Sequence, residues 1–127
     1  MKLPKDFGTV VSEILLVDKR YSFDAYPFIL AALDYTLEKK KNNERKRHIS
    51  GQEFLDGIKE FAPAQFGPMT RSVLNHWGIR QTRDFGEIVF NMVDAGLMGK
   101  TEEDSIEDFI DVFDMDEVFG PESQAGL

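Results

Sequence analysis

Cysteine is absent from this chain of 127 residues, while histidine occurs only twice and tryptophan once. Without cysteine the chain forms no disulfide bond and offers no thiolate as a nucleophile or metal ligand. This absence agrees with a reducing cytoplasm, which is where we expect the protein to function. A chain of this length buries roughly two thirds of its unfolded surface on folding, so we expect it to fold without disulfide bonds.

Long apolar runs are also missing. The longest, YPFILAAL at 26–33, is far too short to span a bilayer. The first apolar run, VVSEILLV at 10–17, contains Ser12 and Glu13 and lacks the processing site of a signal peptide. We therefore predict no membrane association, and the content of 42% hydrophobic and 30% charged residues is typical of a globular domain.

Positive charge is missing from the C-terminal part of the chain. Residues 101–127 hold ten acidic residues and no lysine or arginine, whereas the first hundred hold thirteen acidic and fifteen basic residues, a net charge of +2. The overall charge of -8 is therefore a property of the C-terminal part. A negative surface disfavours nonspecific binding to phosphate backbones, although the nearly neutral body leaves room for a local basic site.

Apolar residues recur at helical spacing in two N-terminal segments. They are Phe7, Val10, Val11, Ile14 and Val17 in the first segment and Tyr26, Ile29, Leu30, Leu33 and Leu37 in the second. The spacing predicts two helices that form a hairpin over 6–41. The polar stretch EKKKNNERKRH that follows separates this hairpin from the rest of the chain.

Two further helices have marked ends. Ser50 and Glu53 form an S-x-x-E capping box that predicts the start of a third helix. We expect Pro63 to help to end it, and Pro68 suits the first turn of a fourth helix. Gly78 can adopt the left-handed conformation that closes the fourth helix.

The fifth predicted helix has two candidate N-terminal caps, Thr82 and Asp84, and Gly96 marks its end. After it, residues 97–98 predict a short strand. The partial alternation of FIDVFD favours a second strand over 105–114, although a helix starting at Ser105 also fits the spacing of its apolar residues.

The predicted fold is mainly α, of the α+β class: a helical hairpin at 6–41 and a winged-helix-like three-helix unit at 49–119 with a small antiparallel strand pair. We expect one domain over 1–119 and a flexible tail over 120–127. In a winged helix the fifth helix would be the recognition helix. Its outward residues are Arg83, Asp84, Glu87, Asn91 and Asp94. Three of these five are acidic and would repel phosphates, so the pattern favours a protein-binding surface over a DNA-binding one.

The acidic stretch EEDSIEDFIDVFDMDE is a second candidate interaction surface, with Asp108 and Asp111 as its candidate contact residues. It lacks the spacing of a calcium-binding loop, so we predict no metal there. The alternative is a solvated face around four buried anchors, which are Phe109, Ile110, Val112 and Phe113.

The basic run at 39–47 has three alternative interpretations. Its members are Lys39, Lys40, Lys41, Arg45, Lys46 and Arg47. They can form a solvated helix end, bind a polyanion such as nucleic acid, or attract the acidic C-terminal segment. No aromatic residue lies among them, so stacking on bases is not indicated.

The two histidines, His48 and His76, have neither an H-E-x-x-H arrangement nor another recognised metal spacing. We find no catalytic constellation and predict no cofactor or metal. The leading hypothesis is a noncatalytic interaction module with an unidentified protein partner. The alternatives are nucleic-acid association through the basic run, and a small enzyme or ligand-binding protein that uses His48 or His76 beside a carboxylate.

Two stretches, RYSFDAYPFILAALDYT and HISGQEFLDGIKEFAPAQFGPMTRSVLNHWGIRQTRDFGEIVFNMVDAGLMGKTEEDSIEDF, carry a family resemblance. They resemble a family of short uncharacterised bacterial proteins first catalogued from planctomycete and verrucomicrobial genomes. The likeness covers residues 18–119, and QFGP, HWGI and DFGEIVFN are its most specific motifs. The resemblance implies one intact domain and brings no reaction, ligand or site residue with it.

Overall fold

The computed structural model describes residues 6–41, 49–99 and 105–121. Across these ranges the chain is mainly helical, as predicted. The six α-helices are α1 (Phe7–Val17), α2 (Ala25–Lys41), α3 (Gly51–Phe66), α4 (Thr70–His76), α5 (Thr82–Asp94) and α6 (Met115–Phe119). Short 3-10 helices occupy Gly67–Met69 and Ile106–Phe109. None of the helices in the described ranges is both long and apolar enough to cross a membrane.

Buried apolar side chains from Phe7 in α1 to Phe119 in α6 form a single core cluster. Helix α2 packs against both α3 and α5, and α3 also contacts α4, α6 and both 3-10 helices. Gly57 permits the close approach of α2 and α3, because a Cβ atom at this position would collide with the side chain of Thr36. The N-terminal helices therefore share their core with the C-terminal half.

Local sequence signals explain several helix ends. The Ser50 hydroxyl accepts a hydrogen bond from the backbone N–H of Glu53 at 3.1 Å, and the Glu53 carboxylate accepts one from the Ser50 N–H at 3.0 Å. Gly78, at a φ of 92°, follows α4, and Gly96, at a φ of 82°, follows α5. These three predicted ends are confirmed.

Two details of the predicted ends are wrong. Helix α3 continues through Pro63 to Phe66. The carbonyl that Pro63 leaves without its helical N–H donor belongs to Lys59, which lies on the exposed side of the helix where water can reach it. Helix α5 has Gln81 as its N-cap, so neither Thr82 nor Asp84 occupies that position.

The predicted antiparallel strand pair is wrong. The described residues contain no strand: Leu97 lies in the turn that ends α5, and Ile106–Phe109 is a 3-10 helix. The hydroxyl of Thr82 donates to the Phe109 carbonyl at 2.6 Å and accepts from the Val112 N–H at 3.1 Å. This side chain satisfies backbone groups that a strand partner would otherwise pair. The connection at 100–104 lies outside the described residues, as do 122–127 of the predicted tail.

Candidate docking surface around helix α5

The predicted outward face of α5 is only partly open. Arg83 and Asp94 are exposed, whereas Asp84, Glu87 and Asn91 are half-buried. The cover comes from the loop at 18–24, which joins α1 to α2 and contacts α5 through hydrogen bonds. The predicted face therefore has a partly covered region at Asp84, Glu87 and Asn91 and an exposed end at Asp94.

Asp84 holds the start of α5. One carboxylate oxygen accepts a hydrogen bond from the hydroxyl of Tyr21 at 2.6 Å, and the other accepts from the backbone N–H groups of Arg80 at 2.8 Å and Gln81 at 3.1 Å. Burial, followed by the hydrogen bond to the Asp84 carboxylate, raises the pKa of Tyr21 well above its usual value. Both carboxylate oxygens of Asp84 are therefore engaged in hydrogen bonds that stabilise the fold.

A polar network joins the loop to the middle of α5. Asp18 accepts from the guanidinium of Arg20 at 2.7 and 3.0 Å, and Arg20 also lies 3.4 Å from the Glu87 carboxylate. The amide of Asn91 donates to Asp18 at 3.0 Å and to the hydroxyl of Tyr26 at 3.1 Å. The Arg20 hydrogen bonds, with that from Asn91, hold the pKa of the Asp18 carboxyl well below its usual range, although burial opposes them.

Glu87 completes this network through an ion pair with Arg83 at 3.0 Å, one helical turn away. Together these contacts engage four of the residues predicted for docking: Arg83, Asp84, Glu87 and Asn91. The sequence pattern of α5 gave no sign of this, because the partners in the loop lie 63 to 73 positions earlier in the chain.

A groove lies between α1 and the C-terminal end of α5, with a volume of about 350 Å³. Val10, Glu13 and Val17 line its α1 side, and Asn91 and Asp94 line its α5 side together with Ala95. Asp18 also contributes to the lining, so the described residues of the groove supply three carboxylates and no basic side chain.

The apolar edge of this groove was not predicted. Val17 was assigned to the inward face of the first helix, but its side chain is 90% exposed, and the adjacent Leu16 is 75% exposed. The inward face of α1 is confirmed for Phe7, Val11 and Ile14, which are buried. The spacing therefore identifies the buried residues in the first turns of α1 but not the exposure of its last residue.

The groove carboxylates differ in their availability. Asp18 is saturated by the network described above. Glu13 and Asp94 are exposed, and no hydrogen bond or ion pair connects either of them to another residue within the described ranges. These two carboxylates are therefore the groups available to a positively charged partner.

The described part of the acidic stretch, residues 105–117, is called the acidic C-terminal segment below, and it contributes no residue to the lining of the groove. Phe109 is buried, but Ile110 and Val112, predicted as buried anchors, are 40% and 39% exposed. Asp111 between them is exposed at a φ of 52°, while Asp108 is half-buried. The left-handed turn at Asp111 and the hydrogen bond of Val112 to Thr82 hold this short stretch in a non-extended path.

The basic run is described only at its beginning. Lys39 forms an ion pair with Glu60 at 2.5 Å, and the same carboxylate accepts from the hydroxyl of Tyr35 at 2.8 Å. Lys40 and Lys41 end α2, but their side chains are not described, and Arg45, Lys46 and Arg47 lie outside the described residues. The polyanion-binding hypothesis stays a prediction.

The histidines are not brought together with a carboxylate cluster in the described part of the chain. His76 is exposed at the end of α4, and His48 lies outside the described residues. Within those ranges no group of three histidine or acidic side chains is arranged to hold a metal ion.

Comparisons with protein-family models, with curated proteins and with solved structures gave no match. The resemblance noted in the sequence therefore stays a prediction, and functional inference depends on the surfaces of the molecule itself.

Proposed function

We propose that this chain is a noncatalytic cytoplasmic protein-interaction module whose docking surface is the groove between α1 and α5. One observation carries the proposal. Leu16 and Val17 are strongly exposed beside a concave surface to which the described residues contribute carboxylates and no basic group. Exposed apolar side chains rimmed by polar groups are typical of protein interaction sites.

The chemistry of the groove favours a basic, amphipathic partner segment. An apolar side chain of the partner can enter between Val10 and Val17, while lysine or arginine side chains reach Glu13 and Asp94. Such complementarity increases association rates and selects against acidic partners and nucleic acids. Asp18 takes no direct part, because Arg20 and Asn91 already occupy it.

The acidic C-terminal segment is the competing surface. It offers Ile110 and Val112 next to acidic side chains, but these residues are less than half as exposed as Val17. The winged-helix-like arrangement is not needed for either surface. We therefore choose the groove as the primary site and use the C-terminal segment as the comparison in the test.

A site-specific crosslinking experiment tests this proposal. A photoreactive amino acid is placed at Leu16, at Val112 or at the exposed Ser72 of α4, and crosslinked partners are identified by mass spectrometry. We expect a specific protein adduct from position 16 and none from position 72. Adducts only from position 112, or from no position, would contradict the choice of the groove.

The partner found in this way permits a quantitative test with purified proteins. We expect Glu13→Gln combined with Asp94→Asn to weaken binding by between about twofold and thirtyfold, because each exposed ion pair contributes about 0.2–1 kcal/mol. High salt should reduce the difference. The matched variant Asp108→Asn with Asp111→Asn should leave the affinity unchanged, and an equal loss in both pairs would indicate a nonspecific charge effect.

A further inference from the structure

A second cavity lies on the other side of α5 and has a different character. Its volume is about 180 Å³, and it is neither a closed void nor a flat surface. The apolar residues that line it are Leu33, Leu37, Ile49, Phe54, Val89, Phe90, Val93, Met98 and Phe109. Among the described residues, Ser50, Gly51 and Gly99 complete the lining, and none of these described lining residues carries a charged side chain.

Burial distinguishes the floor of this cavity from its rim. Phe54 and Phe109 are almost fully buried and form the floor. Ser50 and Gly99 are exposed and lie where the cavity meets solvent. A molecule in the cavity would place an apolar end against the two phenylalanines and direct its other end outward.

Two strongly polar segments flank the rim residues in sequence. Residues 42–48 are NNERKRH, and residues 100–104 are KTEED. Neither contains valine, leucine, isoleucine, methionine, phenylalanine, tyrosine or tryptophan. Protein interiors rarely keep empty spaces much larger than a water molecule, and an apolar space does not bind water well.

We infer that this cavity, between α2, the start of α3 and α5, binds the hydrocarbon end of a small amphiphile. Its volume sets the size, because an apolar cavity of about 150 Å³ holds one benzene-sized molecule. A saturated chain of about six carbons occupies comparable space. Because the described residues of the lining offer no charged partner, burial of an ionised group among them is unfavourable, and the polar end of the ligand stays at the rim.

A titration of the full chain with ethanol, hexanol and decanol, followed by proton–carbon correlation NMR of the methyl groups, tests this inference. We expect saturable shifts of Leu33, Val89 and Val93, and nuclear Overhauser contacts from hexanol to these methyl groups. Affinity should increase about fourfold per added methylene until the cavity is filled, and then level off. Absence of saturable binding, or contacts confined to other residues, would overturn the inference.

Variants that fill the cavity provide the second measurement. Val93→Phe, or Leu33→Phe from the opposite helix, should weaken hexanol binding on the order of tenfold or more without lowering the melting temperature of the free protein. Two filling variants are used because, if one of them fails to fold, the other still tests whether filling the cavity prevents hexanol binding. Val112→Phe, the same change at an exposed site, should bind hexanol as the wild type does.

Unchanged binding in both folded filling variants would overturn the inference. The inference is also overturned if the wild type binds no alcohol while Leu3→Ser or Leu127→Ser does bind one. In that case a terminal leucine of the chain itself would be the occupant of the cavity. Neither result bears on the groove between α1 and α5, so the two proposals succeed or fail separately.

Discussion

Asp18 lies in a surface loop, but its hydrogen bonds stabilise the fold. Its carboxylate accepts from the backbone N–H and the guanidinium of Arg20 and from the amide of Asn91, which joins the loop after α1 to α5. Because the same amide donates to Tyr26, the loss of Asp18 also affects the start of α2. A charged acceptor with several donors contributes more than a neutral one.

We expect Asp18→Asn to lower the free energy of unfolding at neutral pH by about 2 kcal/mol, the usual scale for hydrogen bonds to a charged group. Urea denaturation followed by circular dichroism measures this effect. Asp24→Asn, an exposed aspartate in the same loop, is the matched control and should change stability by less than about 0.5 kcal/mol.

The same variant has a defined pH dependence. The folded protein holds the pKa of Asp18 below its value in the unfolded chain, which is about 3.9. The stabilisation is therefore fully present above that unfolded value and is lost as pH falls through it toward the folded pKa. The stability difference between wild type and Asp18→Asn should shrink below about pH 5. A difference that grows on acidification would contradict the assigned cause.

At the scale of elements, the turn between α4 and α5 shows how a helix end can also be a tertiary contact. Gly78 has a φ of 92°, and a Cβ atom there would collide with the carbonyl oxygen of Arg20. The neighbouring carbonyl of Trp77 accepts a hydrogen bond from the Ser22 N–H at 3.1 Å. The turn therefore needs glycine for its backbone conformation and for its approach to the loop.

Two glycine substitutions separate these requirements. Gly96 has a similar φ of 82° but nothing near the place of its missing Cβ. We expect Gly96→Ala to cost about 1 kcal/mol from backbone strain alone. Gly78→Ala should cost about 3 kcal/mol or more, because the steric conflict adds to the strain. Equal losses in urea denaturation would show that the contact with Arg20 contributes nothing.

The contrast between these elements explains what the sequence could predict. The capping box at Ser50 and the glycines after α4 and α5 involve neighbours in sequence, so their patterns identified the helix ends. The predicted strand at 105–114 failed because Thr82, nearly thirty positions earlier, satisfies its backbone groups. The docking prediction on α5 was limited in the same way, since the loop that covers Asp84 carries no local signal in α5. The strong exposure of Val17 likewise depends on where other elements end.

At the scale of the whole molecule, the acidic C-terminal segment belongs to the core. Phe109 is buried and contacts the rings of Phe54 and Phe90, at centroid distances of 6.5 and 6.3 Å. Phe119 in α6 is also fully buried. Six of the ten acidic residues of 101–127 lie within 105–121, so this part of the negative charge is carried by a segment that contributes to the hydrophobic cluster.

We expect unfolding to be a single transition that includes both ends of the chain. Trp77 packs against Phe28 and Phe66 at centroid distances of 5.3 and 5.7 Å, so its fluorescence reports on the α2–α4 region. Fluorescence and circular dichroism should give coincident urea curves. Phe109→Ala should lower the free energy of unfolding obtained from either probe by about 3–5 kcal/mol, although Phe109 lies far from Trp77 in sequence.

The control for this variant is Ile110→Ala, at a side chain that is 40% exposed, which should cost less than about 1 kcal/mol. Separate transitions for the two probes would indicate that the helical hairpin and the C-terminal half unfold as independent units.

The contact between Gly57 and Thr36 has a consequence for how this sequence can change over time. The Thr36 hydroxyl donates to the Ala32 carbonyl at 2.8 Å and fills the space that any side chain at position 57 would need. An enlargement at position 57 is therefore compatible with the present spacing of α2 and α3 only after a reduction at position 36. We therefore expect positions 36 and 57 to covary among homologues, with a larger residue at one position accompanied by a smaller residue at the other.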